Sequence, residues 1–263
     1  MKSAGYYIES AIPVIKAAGA FIREQRRNFN RSVVEHKGFN DLVSFVDKEA
    51  ERMLVEGLEK IEPDSGFITE EQTRTIHDRM VEWIIDPLDG TTNFVHGVPV
   101  FCVSVGLRID GILSGGIIYE INLDECFYGW SGSGVLLNGV PVKTSSAQKM
   151  SDALVVTGFP YTNFTRLKEY MEVFDYCMKN THGIRRPGSA AVDLAYVACG
   201  RFEVFYEYGL NPWDIAAGAF LVKEAGGVVT DFSGGDNFLF GKEIVATAPG
   251  VNAEFLAEIK KRF

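Results

Sequence analysis

Between Val81 and Phe94 an apolar run ends directly in two carboxylates, a combination that few folds can accommodate. Val81 to Ile85, interrupted only by Glu82, reads as a short buried strand. It delivers Asp86 and Asp89 into a turn that Pro87 stiffens and Gly90 loosens. Thr91-Thr92-Asn93 reads as the start of a helical turn, its free N–H groups pointing back at the acids. Paired carboxylates at a strand end hold hard divalent cations through oxygen, and N–H groups at a helix start hold anions. Together they describe a place for a metal-bound phosphate. An isolated D-P-x-D is better read as a polar turn with aspartates capping backbone groups. Here, acidic stretches upstream and downstream outweigh that reading in combination.

Upstream, Pro63-Asp64-Ser65-Gly66 is a turn, and Phe67-Ile68-Thr69 reads as a strand ending at Glu70-Glu71. Downstream, Pro212 sits near the start of a helix that runs to Ala225 and stops at Gly226-Gly227, with Asp214 in its first turn. The lesser reading of Asp214 is a cap or first-turn acid favoured by the helix dipole.

Asp86-Pro87-Leu88-Asp89-Gly90-Thr91 resembles the first signature of the inositol monophosphatase family, and Asn211 to Gly218 resembles its second. Thr69-Glu70-Glu71 sits where that family places its upstream acidic pair, with Thr in place of the usual Gly. The resemblance implies an α+β fold, a layered α/β/α/β/α sandwich of the inositol monophosphatase/fructose-1,6-bisphosphatase type. It implies one domain over residues 1–263, in two lobes of roughly 1–150 and 151–263, with the active site where they meet. The implied activity is hydrolysis of a small phosphate monoester, foremost myo-inositol 1-phosphate, by in-line attack of a metal-activated water. The cofactor would be Mg²⁺, two to three ions, and Li⁺ would inhibit.

By the same resemblance, one ion would take Glu70, Asp86 and the backbone carbonyl of Leu88, and a second Asp86, Asp89 and Asp214. A third, weaker site would use Glu70 and mostly water. Asp47, Thr91 and Glu70 carry the catalytic roles, with Thr91 and Asp47 orienting the attacking water. Backbone N–H groups of Gly90 and Thr91 would hold phosphate oxygens, while Asp89, Asp214, Glu207 and the backbone near Ala190 contact substrate. Lys37 and Glu71 support the site, and Arg185 or Arg186 would either help a second phosphate or pair with nearby acids. Gly158-Phe159-Pro160-Tyr161 departs from the inositol-specific pattern of animal members. Fructose 1,6-bisphosphate, histidinol phosphate and a nucleotide 3′-phosphate therefore stand as alternative substrates. A non-catalytic interaction protein is disfavoured, because Glu70, Asp86, Asp89 and Asp214 are all present.

The rest of the chain reads as ordinary soluble protein. Hydrophobic residues make up 46% and charged ones 23%, and a net charge of −9 argues against coating nucleic acid or a membrane surface. Four cysteines without a C-x-x-C pair fit a reduced, cytoplasmic setting, and no stretch is long and apolar enough to span a bilayer. Apolar residues at helical spacing predict a helix from Tyr6 to about Phe29, kinked or started late by Pro13, with Arg23, Arg26, Arg27 and Arg31 on its solvated face. Asp41 to Ser44 leads into a second helix through Ile61, whose charges, Lys48, Glu49 and Glu51 among them, read as surface. Strands follow at Val100 to Leu107, Ile112 to Tyr119 and Cys126 to Trp130, apolar enough to supply a homodimer interface. The glycine run from Gly129 to Gly134 lacks a following Gly-Lys-Ser/Thr and reads as structural. Beyond it come a strand at Leu154 to Thr157, helices at Thr165 to Lys179 and Ala190 to Cys199, the latter capped by Ser189, and a strand at Phe202 to Tyr206 carrying Glu207 at its end.

Overall fold

The computed structural model describes residues 2–27, 29, 35–38, 41–43, 45–160 and 163–263, with 35–38 and 41–43 as backbone alone. Helix α1 (Ala4–Arg27) passes unbroken through Pro13, because Ile8, Ala11, Ile15, Ala18 and Ile22 all bury on one face. A β-hairpin, β1 (Glu35–Gly38) and β2 (Asp41–Val43), precedes α2 (Phe45–Ile61), which packs against α1. The two helices cover one face of a seven-stranded sheet in the order β3 (Gly66–Thr69), β4 (Val81–Asp89), β5 (Cys102–Ile109), β6 (Ile112–Glu120), β7 (Glu125–Trp130), β8 (Val135–Leu137) and β9 (Val140–Val142). Short helix α3 (Thr91–His96) links β4 to β5.

Side-chain alternation along these strands builds two cores at once. Trp83, Ile85, Val103, Val105, Ile117 and Tyr119 face α1 and α2. Cys102, Ile118 and Phe127 face the other way, toward the helices introduced next. Each large apolar side chain buried in this way contributes about 1.5–3 kcal/mol. The chain's own helices thus cover both faces of the β5–β7 region over much of its length, while Ile112 stays exposed and Tyr128 half-buried.

The second sheet follows β10 (Val155–Thr157), α4 (Leu167–Asn180), β11 (Ile184–Arg185), α5 (Ala190–Ala198), β12 (Val204–Tyr208), α6 (Pro212–Glu224), β13 (Val228–Thr230), α7 (Phe238–Gly241), β14 (Glu243–Thr247) and α8 (Asn252–Lys260). Its strand order is β11-β10-β12-β14-β13. Phe205, Ile244 and Ala246 face α5 and α6, while Val204, Tyr206 and Val245 face α4 and α8. Helices α5 and α6 are therefore shared between the sheets, which gives the α/β/α/β/α layering. Helix α6 lies close against the larger sheet because Gly116 has no side chain. A Cβ there would come within 2.7 Å of the Ala217 carbonyl oxygen.

The glycine run after β7 holds an internal anion: Gly132 and Gly134 N–H both donate to Glu224 Oε1 at 2.9 Å. Its structural reading stands. Among the described residues, no helix is long and apolar enough to cross a membrane.

Candidate active site

Strand β4 does not stop at Ile85; it continues through both aspartates. Side chains on a strand alternate, so acids three positions apart would ordinarily point to opposite faces. A bulge resolves this. Asp86 pairs with Ser104 and Asp89 with Cys102, so β4 advances three residues while β5 advances two. The extra residue falls at Pro87-Leu88, where the missing N–H of proline costs no ladder bond. The bulge turns Asp86 and Asp89 to the same side. Asp86 Oδ1 accepts from Leu88 N at 2.9 Å, closing the turn.

Strand β3 runs parallel to β4 with Thr69 beside Ile85, so Glu70 comes to lie next to Asp86. Glu70 N donates to Ile85 O at 3.3 Å. The segment beyond is held from behind by Glu51, which is fully buried rather than on the surface. Its carboxylate accepts from Glu71 N at 2.7 Å, Thr73 N at 2.8 Å and Thr73 Oγ1 at 2.6 Å.

Asp89 is tied to the other half of the chain. Its Oδ2 accepts from Ser189 Oγ at 2.7 Å and from Ala191 N at 2.6 Å, at the start of α5. Ser189 meanwhile caps that helix by accepting from Val192 N. Asp214 sits in the first turn of α6 and accepts from Asn211 N at 2.7 Å, so its reading as a helix-start acid holds beside its place in the site. Thr91 Oγ1 donates toward Asp47 Oδ1 at 3.0 Å and Leu88 O at 2.9 Å, and Asp47 is buried.

These elements enclose a cavity of about 660 Å³. Glu70, Glu71, Asp89, Gly90, Thr91, Ala190, Glu207 and Asp214 all line it. Asp86 lies just behind the wall, 2% exposed. Burial pushes its carboxyl well above the ordinary range, and the charges of Glu70, Asp89 and Asp214 push it further. Burial likewise raises Asp89, against the opposing hydrogen bonds from Ser189 and Ala191, and raises Asp214 to about 7. Among the described residues no three His, Cys, Asp or Glu side chains stand close enough together to hold a metal ion; Glu70, Asp89 and Asp214 line the cavity, and their charges act on Asp86 behind its wall. An all-oxygen donor set under mutual repulsion fits a small hard dication, which satisfies the carboxylates and cancels their charge.

Gly158, Arg186, Asp193 and Glu207 line the same cavity. Gly158 makes room for Glu207: a Cβ at 158 would overlap the Glu207 carboxylate. Arg186, not Arg185, lines the cavity. Arg185 is exposed, and its Nη1 donates to the neighbouring Ile184 O, which corrects the choice of Arg185 as a supporting residue. The Lys37 side chain lies outside the described residues. Sequence reasoning missed Glu51, whose signal was its position one turn beyond Asp47 on the buried stripe of α2. It also missed Asp193, whose signal was an acid inside an otherwise apolar helix.

The profile of the inositol monophosphatase family matches residues 6–262. "Nus factor SuhB" of Escherichia coli strain K12 is 39% identical over 251 residues, covering 95% of this chain and 94% of that protein. The crystal structure of extragenic suppressor protein suhB from Bartonella henselae superposes with a TM-score of 0.91 at 36% identity, covering 97% of this chain and 98% of that one. The IMPase of Thermotoga maritima superposes with a TM-score of 0.86 at 35% identity over 95% of each chain. With the layered fold and matches of this extent, the chain belongs to the inositol monophosphatase family.

Proposed function

We propose that this protein is a Mg²⁺-dependent phosphoric monoester hydrolase acting on myo-inositol 1-phosphate. The observation that carries the reading is the gathering of Glu70, Asp86, Asp89 and Asp214 around one cavity, beside the Thr91–Asp47 hydrogen bond. Phosphate monoesters hydrolyse very slowly unaided, so charge neutralisation and positioning must supply most of the barrier reduction. Bound Mg²⁺ supplies Lewis-acid neutralisation of phosphate charge and a lowered water pKa. Glu70, Asp86, the Leu88 carbonyl, Asp89 and Asp214 would hold it. Thr91 and Asp47 orient the attacking water. The first N–H groups of α3, at Gly90 and Thr91, lack partners within the helix and would receive phosphate oxygens. Glu207 takes the hydroxyls of the leaving alcohol, with Ala190 beside it.

The test is phosphate release from myo-inositol 1-phosphate, fructose 1,6-bisphosphate, histidinol phosphate and a nucleotide 3′-phosphate, each with and without Mg²⁺. Metal-dependent release fastest from the inositol ester is the expected result. Turnover of that ester about a hundredfold below another, a loss of about 2.7 kcal/mol in transition-state binding, would remove inositol phosphate as the substrate.

A second, non-catalytic role as a Nus factor is proposed on the likeness to the SuhB proteins. Pull-down with the Asp86→Asn variant tests it: binding that persists without turnover separates the two roles.

A further inference from the structure

Helix α5 is apolar from Ala190 to Ala198, apart from the phenol of Tyr196 and one carboxylate, Asp193. Asp193 is 1% exposed and lines the cavity, and among the described residues its Oδ1 has no hydrogen-bond partner. Two other buried acids of this chain, Glu51 and Asp231, are satisfied. Glu51 accepts three hydrogen bonds, and Asp231 accepts from Ser233 Oγ and Gly235 N. An unsatisfied buried acceptor is destabilising, and more so when charged. Asp193 neither caps a helix nor ties a loop, so the fold gains nothing for that cost. Such a group calls for a partner from outside the chain.

Its position suggests which partner. Asp193 lies four residues beyond Ser189, about 6 Å along the helix axis from the residue that holds Asp89. Asp193 thus lies within reach of the charges of both Glu207 and Asp89, and Arg186 lines the same cavity. Two buried carboxyl groups there face one guanidinium. A second phosphate would have to be buried against two carboxyl groups with one guanidinium to offset it, whereas a hydroxyl can pair with either carboxyl group.

We propose that Asp193 is a specificity-determining residue that accepts a hydrogen bond from a hydroxyl of the leaving alcohol and, with Glu207, restricts the substrate to monophosphates of uncharged polyols. This inference rests on the phosphatase reading above and adds a specificity residue to it. Sites built around buried polar groups discriminate strongly against ligands that leave those groups unpaired.

The experiment compares wild type, Asp193→Ala and Asp193→Asn with Mg²⁺ on three substrates: myo-inositol 1-phosphate, fructose 1,6-bisphosphate and p-nitrophenyl phosphate, whose leaving group has no spare hydroxyl. Asp193→Ala is expected to raise KM for the inositol ester about tenfold or more, as loss of one hydrogen bond to a charged group implies. Its kcat/KM on p-nitrophenyl phosphate should stay within about twofold, a change of less than 0.5 kcal/mol. Discrimination against the bisphosphate should narrow, and the melting temperature should hold or rise, because an unpaired buried carboxyl is removed. Asp193→Asn keeps the volume and one acceptor, so it should fold and show a smaller KM increase confined to the inositol ester. Equal losses on the inositol and p-nitrophenyl esters in either folded variant would assign Asp193 to the framework and overturn the proposal. Unchanged kinetics on all three esters would overturn it too. A wild type that is Mg²⁺-dependent but prefers the bisphosphate leaves the phosphatase reading intact and sinks this inference alone. A wild type that hydrolyses none of the three sinks both.

Discussion

Thr91 and Asp47, 44 positions apart, share a hydrogen bond of 3.0 Å in which the threonine hydroxyl donates. The Leu88 carbonyl, 2.9 Å away, is a second acceptor for the same proton. With its proton committed to one side, the hydroxyl keeps lone pairs to accept from a water in the cavity. Thr91→Ala should therefore lower kcat by about 10²–10⁴, the span of a lost general acid–base partner, while Thr91→Ser retains most of it. Initial rates of phosphate release, with thermal melts as a control for folding, decide this. A Thr91→Ala enzyme with near-normal kcat would deny the pair its role.

Asp86 is buried among three other acids that repel it. Asp86→Asn should abolish turnover, yet without Mg²⁺ the variant should melt no lower than wild type, because a buried like charge has been removed. Calorimetry of the metal-free proteins, paired with activity assays, checks both halves. Substantial activity would remove Asp86 from the residues that hold the metal.

The site acids also set a pH dependence. Asp214, ordinarily near 3.8, is raised to about 7 in the folded chain, chiefly by burial and then by the Asp89 charge. Between those two values the native state keeps a proton that the unfolded chain has lost. The metal-free stability contributed by this group is therefore present at low pH and lost as pH rises toward 7. Mg²⁺ binds the ionised form, so it should raise the melting temperature more at pH 8 than at pH 5. Binding near pH 6 should release protons, detectable by titration calorimetry in buffers of different ionisation enthalpy. Metal stabilisation that is flat with pH would contradict the charge-cluster reading.

Glu51 braces the strand end that presents Glu70. Glu51→Ala leaves two backbone N–H groups and a hydroxyl unsatisfied, so destabilisation of about 3 kcal/mol or more is expected, along with weaker Mg²⁺ binding. Chemical denaturation and metal titration of the folded fraction measure the two effects. Unchanged stability would show that the segment holds itself.

Much of this arrangement is legible from local signals. The apolar run into Asp86 and Asp89 and the helix starts at Ser189 and Pro212 each follow from residue chemistry within a few positions. What escapes such reading depends on distant contacts. Glu51 looks like its exposed neighbour Glu49 until the loop carrying Thr73 folds over it. Arg185 and Arg186 are indistinguishable until β11 turns one outward and the next into the cavity. The bulge at Pro87-Leu88 exists only relative to β5, so spacing alone cannot predict that two acids three apart share a side. The strands from Cys102 to Trp130 owe much of their apolar character to the helices that cover both faces, a fact about layering that no local pattern states.

The bond from Ser189 to Asp89 has a wider consequence. Glu70, Asp86 and Asp89 come from the first half of the polypeptide, while Asp214, Glu207 and the donors that steady Asp89 come from the second. Neither half inherits a working reaction centre if the gene is cut between them. A cation gripped from both sides would act as a rivet across the seam, so loss of the metal should loosen the molecule as a whole before any single element unravels.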